Sequence, residues 1–247
     1  MGTDLRESLG GDDVPRGQSP LLWSSLRRAI RAQPPDDGPV RVLDCGGGSG
    51  SLAVPMAVGG AQLTVVDVSI DALATLMRRA TEAGVSHLVT PVQGDVEALG
   101  DFLPAGEFDL VMAHGVLEDV ANVTAAMAEI ARMPRSGGTV SLVTGNPAAV
   151  VLARALAGDV TGALSALRTP ANEAAGPAAL AAWCESAGLL IESIEGLGVF
   201  SELVPGIDLE RPGAMAALAE LEAAVATARP YRDIATKVHI VARRPTA

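Results

Sequence analysis

Short apolar runs alternate with amphipathic segments over the first 145 residues of this chain. The apolar runs are rich in valine and leucine and predict buried strands, whereas the amphipathic segments predict helices. This alternation requires a parallel, doubly wound α/β sheet with right-handed crossovers. The predicted strands are 40–44, 62–67, 88–93, 108–113 and 139–144, and the predicted helices are 51–58, 69–84 and 119–132.

The third strand and the two ends of the chain add detail to this arrangement. Pro91 interrupts the third strand, which we therefore expect at an edge of the sheet. Ser19 precedes Pro20 and apolar residues at helical spacing, which predicts a capped helix. Beyond residue 145 the pattern predicts helices at 146–172, 178–187 and about 213–228, and strands at 189–195 and 237–243.

Two segments of the second half, 146–172 and 201–232, are longer than ordinary connections. In an α/β domain, insertions of this kind usually cover the ligand cleft. We therefore expect one domain over 1–247. Its predicted parts are an N-terminal helical lid at 1–38, a cofactor-binding core at 39–145, and a C-terminal half at 146–247 whose helical insertions cover the acceptor site.

Composition narrows the class of protein. The chain has 247 residues, of which 49% are apolar and 2% aromatic, so aliphatic side chains must fill a large core. No apolar run is long enough to span a membrane, and the N-terminus lacks the pattern of a signal peptide. The two cysteines lie far apart and have no metal-ligand spacing, so we expect a cytoplasmic protein without a metal. The net charge of −11 disfavours strong non-specific binding of nucleic acid.

A dense glycine cluster follows the first strand, in V-L-D-C-G-G-G-S-G-S-L-A at 42–53. Gly48, Gly50 and Ala53 fit the spacing of a dinucleotide-binding loop, in which backbone N–H groups hold a pyrophosphate. Asp44, however, stands directly before the glycines, and its carboxylate would repel a pyrophosphate. A ligand that carries an ammonium and a sulfonium would instead be attracted. This favours S-adenosyl-L-methionine as the cofactor.

The next strands also end on polar residues, and ligands of doubly wound sheets bind beyond the carboxyl ends of strands. Asp67 ends the second strand, where its carboxylate can accept both ribose hydroxyls of a nucleoside. Asp95 follows the third strand, where it can accept from an adenine amino group while the Val96 N–H meets a ring nitrogen. Each aspartate also has a purely structural interpretation as a helix cap. His114 follows the fourth strand.

The segments V-L-D-C-G-G-G-S-G, V-V-D-V-S, Q-G-D-V and F-D-L-V-M-A-H-G-V-L-E together resemble the ordered motifs of class I S-adenosylmethionine-dependent methyltransferases. The resemblance covers residues 40–145 and implies a Rossmann-like sheet of seven strands whose last strand, 237–243, is antiparallel. It implies the first glycines at the methionine moiety, Asp67 on the ribose and 94–96 around the adenine. The predicted cofactor-binding residues are Asp44, Gly46, Gly47, Gly48, Gly50, Asp67, Val68, Gly94, Asp95, Val96 and His114.

A narrower resemblance, to bacterial tRNA carboxymethoxyuridine methyltransferases, extends into both flanks, for example in R-G-Q-S-P-L-L-W-S-S-L and K-V-H-I-V-A-R-R-P. That family esterifies a carboxymethoxy group on a wobble uridine. This chain has Gly198 where the family tends to have arginine, and A-L-R-T-P-A-N-E where it tends to be lysine-rich. We therefore favour a small-molecule acceptor, with tRNA as the alternative. A third hypothesis is a nucleotide-binding sensor without catalysis.

His114 is the predicted catalytic residue, because it stands at the cleft and could contact the cofactor or the acceptor. A hydroxyl acceptor would need a base, whereas a carboxylate or thiolate would not. The alternative is a histidine that only fills the cleft floor. We expect His87 at the surface, and His239, Cys45 and Cys184 as packing residues. If RNA binds, the residues to test are Arg16, Arg27, Arg28, Arg31, Arg229, Arg232, Lys237, Arg243 and Arg244.

Overall fold

The computed structural model of the chain describes residues 14–15, 18–32, 38–169, 176–204 and 211–246. These residues form one mixed sheet with helices on both faces, as the sequence predicts. The strands are β1 (Arg41–Cys45), β2 (Gln62–Asp67), β3 (Val89–Gln93), β4 (Phe108–His114), β5 (Pro134–Gly145), β6 (Leu190–Leu197) and β7 (Lys237–Arg243).

The seven strands lie in the order β3-β2-β1-β4-β5-β7-β6. β7 runs antiparallel to both of its neighbours, β5 and β6, and the other paired strands are parallel. The predicted antiparallel last strand is therefore confirmed. β3, which contains Pro91, lies at the edge of the sheet, where the lack of a proline N–H breaks no central ladder.

Eight α-helices connect or flank these strands within the described part of the chain. The helices are α1 (Pro20–Arg31), α2 (Ala53–Val58), α3 (Ile70–Glu82), α4 (Val123–Arg132), α5 (Pro147–Leu156), α6 (Val160–Arg168), α7 (Pro177–Ser186) and α8 (Ala214–Val225). Polar caps define several N-termini: the Ser19 hydroxyl accepts from the Leu22 N–H, and the Ser69 hydroxyl accepts from the Ala72 N–H.

The structure differs from the predicted elements in three places. α4 begins at Val123 rather than at 119, because Asn122 is its cap and accepts from the Ala125 N–H. The predicted exit turn at 133–138 is instead extended and forms the first part of β5. The helical stretch predicted at 146–172 is two helices, which Gly158 and Asp159 separate, and its last residues, 170–172, lie outside the described part.

Two apolar clusters cover the two faces of the sheet. On one face α1 and α2 pack against the central strands, with Leu26, Met56 and Leu110 almost fully buried. On the other face α4 and α7 pack through residues such as Met127 and Leu180. Burial of these aliphatic side chains, each worth roughly 1.5–3 kcal/mol, makes the sheet a rigid platform for the loops at its carboxyl edge. No helix in the described part is both long and apolar enough to cross a membrane.

Candidate active site

The cleft lies where the strand order reverses. β1 and β4 are neighbours at the centre of the sheet, but β2 and β3 continue to one side of β1 while β5 and β7 continue to the other side of β4. The loops that follow β1 and β4 diverge there and leave a crevice. Two cavities open at this edge, one of about 780 Å³ and one of about 330 Å³, and Gly115 lines both. The two cavities are therefore adjacent at the end of β4.

The smaller cavity collects most of the predicted residues around a nucleoside-sized space. Asp67 stands at its wall and binds backbone on both sides: Oδ2 accepts from the Gly48 N–H at 2.9 Å, and Oδ1 accepts from the Ser69 N–H at 2.8 Å. Each carboxylate oxygen has a second lone pair, so the group can still accept a ligand hydroxyl. The predicted residues that line this cavity are Gly46, Asp67, Val68, Gly94, Asp95 and Val96.

Asp95 takes the helix-cap position, the structural one of its two interpretations, and its role at the adenine stays a prediction. Its side chain caps the following short helical turn by accepting from the Glu97 N–H at 2.9 Å. The carboxylate is nevertheless exposed and lines the smaller cavity. Gly94 precedes it, and a Cβ there would lie 2.4 Å from Cζ of Phe102. Glycine at this position lets the backbone pass close to the aromatic ring.

Of the five other predicted residues, His114 lines the larger cavity, and four line neither cavity: Asp44, Gly47, Gly48 and Gly50. These four residues belong to the glycine loop and its base, next to the smaller cavity. A Cβ on Gly47 would lie 2.5 Å from Oδ2 of Asp44 and 2.7 Å from Cγ1 of Val65, so this glycine is required for close approach. Arg79 of α3 holds the outer side of the loop by donating to the Ser49 carbonyl at 3.0 Å.

Asp44 is a buried carboxyl group directly under the glycine loop, with 4% of its surface exposed. Burial, and then the negative charge of Asp67, raises the pKa of Asp44 to about 7. None of the described residues donates a hydrogen bond to this carboxyl group. A positively charged ligand over the loop would relieve both causes of the raised pKa, so the donor set fits the cationic cofactor predicted from the sequence.

His114 lines the larger cavity and is the end of a chain of polar side chains. Its Nε2 lies 2.8 Å from Ser141 Oγ, which lies 2.9 Å from Nε2 of His239. Nδ1 of His239 lies 3.3 Å from Oε2 of Glu195, whose Oε1 accepts from Nη2 of Arg28 at 2.9 Å. We call these five residues the His114 network. It runs through β4, β5, β7 and β6 to α1.

Ionisation within the His114 network is uneven. Burial, followed by the positive charges of His239 and Lys237, lowers the pKa of His114 to about 3. Burial raises the pKa of Glu195, but the hydrogen bond and charge of His239 and the charge of Arg28 outweigh it, so the net direction is downward. At neutral pH the imidazole of His114 at the cleft is thus uncharged, and the Glu195 side chain, between His239 and Arg28, is a carboxylate.

The loop after β6 forms another wall of the larger cavity. Glu222 of α8 is buried and accepts three backbone N–H groups, from Val199 at 2.9 Å and from Phe200 and Ser201 at 2.8 Å each. Gly198 begins this loop with a φ of +73°, and a Cβ there would lie 2.6 Å from Oγ1 of Thr236. This position therefore excludes a side chain for both conformational and steric reasons.

The remaining polar candidates take structural positions. His87 is exposed on a short turn before β3, as expected. Cys45 is fully buried, and burial followed by the charge of Asp44 raises the pKa of its thiol, so it packs as a small apolar residue. Burial likewise raises the pKa of Cys184 to about 12. Among the described residues no group of three or more ligand side chains could hold a metal ion, and absence of a metal stays a prediction.

Three functional candidates were not found from the sequence: Ser141, Glu195 and the polar role of His239, which we expected only to pack. The available signal was a polar residue inside an apolar strand, as in T-V-S-L-V-T at 139–144 and K-V-H-I-V-A-R at 237–243. A buried polar group needs a partner. The partners could not be named, however, because the register that pairs Glu195 with His239 is set by tertiary structure.

Comparison with known proteins agrees with this geometry. Residues 43–142 match a family described as a methyltransferase domain. The ubiquinone biosynthesis O-methyltransferase of Azotobacter vinelandii (strain DJ / ATCC BAA-1303) is 34% identical over 159 residues, covering 64% of this chain and 67% of that protein. The chain belongs to the class I S-adenosylmethionine-dependent methyltransferases.

Within this class, the similarity to some relatives extends over almost the whole chain. The tRNA 5-carboxymethoxyuridine methyltransferase of Escherichia coli (strain K12) is 27% identical over 231 residues, covering 91% of this chain and 87% of that protein. Two solved structures share the fold. The [4+2]-cyclase SpnF has a TM-score of 0.60 at 20% identity, covering 98% of this chain and 92% of its own. A geranyl diphosphate C-methyltransferase from Streptomyces coelicolor A3(2) has a TM-score of 0.59 at 17% identity, with 90% and 77% covered.

Proposed function

We propose that this enzyme transfers a methyl group from S-adenosylmethionine to a small molecule bound in the larger cavity. The observation that carries the proposal is that this cavity, of about 780 Å³, meets the smaller one at Gly115. Its volume is within the range of small-molecule sites, roughly 300–1,000 Å³. Gln18 and Ser19 directly before α1 and Leu21 within it contribute to the wall of this cavity, which supports a role of the N-terminal segment as a lid.

The predicted cofactor residues divide the binding work. Asp67 accepts the ribose hydroxyls, while Gly94, Asp95 and Val96 surround the adenine. Asp44 supplies negative charge under the glycine loop, on which the methionine part lies. When bound, S-adenosylmethionine supplies a methyl group already activated by a sulfonium, so the protein contributes mainly orientation and charge placement. His114, at the junction of the cavities, is the group best placed to contact the acceptor.

The state of the basic residues supports a small acceptor over RNA. Arg229 and Arg232 both pair with Asp233, and Arg243 pairs with Glu192. Arg244 donates to two backbone carbonyls. Most of the C-terminal basic cluster is thus engaged within the protein rather than free to contact phosphates.

The second candidate function is esterification of a carboxymethoxy group on a tRNA wobble uridine. The similarity over 91% of the chain to the E. coli enzyme favours it. Lys237 also favours it, because this exposed side chain lines the larger cavity and makes no ion pair with the described residues. Against it, this chain has Gly198 where that family tends to have arginine, and the φ of +73° at this position would strain any residue other than glycine.

A methyl-transfer screen decides between these acceptors. Enzyme and radiolabelled S-adenosylmethionine are incubated in parallel with a cell metabolite extract and with bulk tRNA. We expect label in the small-molecule fraction and none in tRNA. Label in tRNA, together with binding that weakens as salt rises, would replace the small-molecule proposal by the tRNA one. A cytoplasmic location remains our expectation and is checked by fractionation.

The sensor hypothesis has its own test. Membership in a family of methyltransferases favours catalysis, and a catalytic protein must bind both S-adenosylmethionine and its demethylated product. We expect S-adenosylhomocysteine to raise the melting temperature of the protein and NADH to have no effect. The reverse result would contradict the assignment of the cofactor.

A further inference from the structure

The His114 network has a direction, and hydrogen-bonding rules determine it. Glu195 is ionised and can only accept, so Nδ1 of His239 must be the donor of that hydrogen bond. If His239 is neutral, its Nε2 has no hydrogen and accepts from the Ser141 hydroxyl. The Ser141 oxygen then accepts from Nε2–H of His114. The donor and acceptor of each hydrogen bond thereby determine those of the next, from Glu195 through His239 and Ser141 to His114.

The chain of hydrogen bonds ends at His114, a residue that lines the larger cavity. With its hydrogen on Nε2, His114 carries a lone pair on Nδ1. Nδ1 is buried and has no hydrogen-bond partner among the residues that the structure describes. Thr144 Oγ1, on the neighbouring strand, is in the same state, and both residues line the larger cavity. An unpaired buried lone pair is unusual in a folded protein and indicates a role for a bound partner.

His114 alone is a poor acceptor for a second proton, because its imidazolium form is disfavoured. Its ring is buried, and the charged or titratable groups around it are His239 and Lys237 on β7, Glu118 after β4, and Glu195 with Arg28 beyond. Burial is the first cause that lowers the pKa of His114 to about 3, and positive charge on Lys237, or on His239 when it holds two protons, opposes a second proton on His114. A base here therefore needs a second site that accepts the charge. His239 is that site, because it contacts the Glu195 carboxylate directly.

We propose that Nδ1 of His114 removes the proton of a hydroxyl acceptor and that Ser141 relays charge from His114 to His239. The acceptor oxygen attacks the sulfonium methyl, so that the O–C bond forms, the S–C bond breaks and its electron pair remains on sulfur. The acceptor proton passes to Nδ1 of His114, the Nε2 proton of His114 to Ser141, and the Ser141 hydroxyl proton to His239. The result is an imidazolium at His239 beside Glu195.

This inference rests on the proposed function and deepens it, because it requires an acceptor atom that carries a proton. A carboxylate needs no base, so the relay would be idle in the tRNA reaction. Nδ1 is shielded from solvent, so the acceptor must reach it as the cleft takes up its ligands. Catalytic hydrogen bonds often tighten only in the complex. His114 is the catalytic residue of this scheme, and Ser141, His239 and Glu195 are positioning residues.

The tautomer of His114 can be measured directly, because the chain has only three histidines. Protein labelled with ¹⁵N in histidine is studied by NMR near neutral pH, with and without S-adenosylhomocysteine, and His87→Gln identifies the signal of the exposed ring. We expect the hydrogen of His114 on Nε2 and that of His239 on Nδ1. A hydrogen on Nδ1 of His114, or a doubly protonated His114, would overturn the proposal.

Two variants test whether the relay sets this state. Ser141→Ala breaks the chain next to His114, and Glu195→Gln removes the acceptor that orients His239. In both we expect His114 to populate both tautomers, and kcat for a hydroxyl acceptor to fall by about 10²–10⁴-fold, the usual range for general-base catalysis. The dissociation constant of S-adenosylhomocysteine should not change. If one variant fails to fold, the other and the wild-type spectrum still decide.

The outcomes separate this inference from the proposed function. An unchanged tautomer with unchanged kcat in the variants would overturn the relay while leaving small-molecule methylation intact. A methyl-transfer screen that labels only tRNA would overturn the proposed function and, with it, the need for a base. The NMR measurement uses no acceptor, so it reports on the network whichever acceptor the screen finds.

Discussion

The carboxylate of Asp67, at the end of β2, accepts a hydrogen bond from the backbone N–H of Gly48 at 2.9 Å. This hydrogen bond joins the glycine loop after β1 to the end of the neighbouring strand β2. The glycine loop and this wall of the smaller cavity are therefore held together. The second carboxylate oxygen of Asp67 accepts a hydrogen bond from the backbone N–H of Ser69, the N-cap of α3. One side chain therefore fixes the loop, the helix start and the wall of the smaller cavity.

Asp67→Ala should weaken binding of S-adenosylhomocysteine by about 1–3 kcal/mol, because the variant loses hydrogen bonds to a charged group and frees the Gly48 loop. Isothermal calorimetry measures the change in dissociation constant. Asp71→Ala is the matched control, since Asp71 is exposed in the first turn of the adjacent helix. An unchanged dissociation constant in Asp67→Ala would remove this residue from the cofactor site.

Asp44 should make the stability of the free enzyme depend on pH. Its pKa is raised to about 7 in the folded protein, from an ordinary value of about 3.9, so between these values the folded state binds more protons than the unfolded state. Stability therefore falls as the pH rises through this window. By the shift of about three units, the cost above pH 7 is on the order of 4 kcal/mol.

Asp44→Asn removes this cost. Its melting temperature should therefore match that of the wild type below about pH 4, where the carboxyl group is protonated in both the folded and the unfolded state. At pH 8 it should exceed that of the wild type by about 2–4 °C for each kcal/mol. The same variant should bind S-adenosylmethionine more weakly, because it lacks the negative charge that we propose attracts the cationic cofactor. Differential scanning fluorimetry across pH measures the first effect, with exposed Asp101→Asn as control. If the melting temperatures of Asp44→Asn and wild type changed with pH in the same way, the raised pKa of Asp44 would be contradicted.

The order of elements up to residue 145 could be predicted because each strand there is a short apolar run with a local stop signal. β7, at Lys237–Arg243, has the predicted bounds for the same reason. The predicted turn before β5 was wrong, because the start of this strand depends on tertiary contacts. Arg135 donates a hydrogen bond to Asp109 at 2.7 Å, and this pair holds Pro134–Gly138 against β4. No local propensity encodes such a contact.

The site was predictable to the extent that its residues lie at strand ends. Asp67, Asp95 and His114 needed only the rule that parallel strands present their carboxyl ends at one edge. The His114 network needed more, because Ser141, His239 and Glu195 are far apart in sequence and meet only through strand order. The resemblance to methyltransferases predicted cofactor-binding residues, which stay predictions, and it gave no information about these three residues.

Gly47→Ala tests the close approach beneath the loop. The new Cβ would lie 2.5 Å from Oδ2 of Asp44 and 2.7 Å from Cγ1 of Val65, both in the well-packed centre of the fold. We expect a loss of stability of about 1–3 kcal/mol, typical of overpacking, and loss of detectable binding of S-adenosylhomocysteine. Gly38→Ala is the control, because a Cβ added at Gly38 would meet no atom within 4 Å. Equal melting temperatures for the two variants would refute the steric account.

Glu222→Ala tests how the wall of the larger cavity is held. The buried carboxylate accepts the N–H groups of Val199, Phe200 and Ser201, and its removal leaves three donors at the loop without their acceptor. Each unsatisfied buried donor costs about 1–3 kcal/mol, so the loop should open before the sheet unfolds. Hydrogen exchange should show loss of protection at 199–201 and little change in β4 and β5.

The functional consequence follows from where the loop lies. Gly198 and Ser201 line the larger cavity, so an open loop should raise KM for the acceptor more than it raises the dissociation constant of S-adenosylhomocysteine. Glu220→Ala, exposed on the same helix, should leave exchange and kinetics unchanged. If Glu222→Ala instead weakened cofactor binding and left the acceptor KM unaltered, the loop would belong to the cofactor side of the cleft, and the division of the two cavities proposed above would have to be reversed.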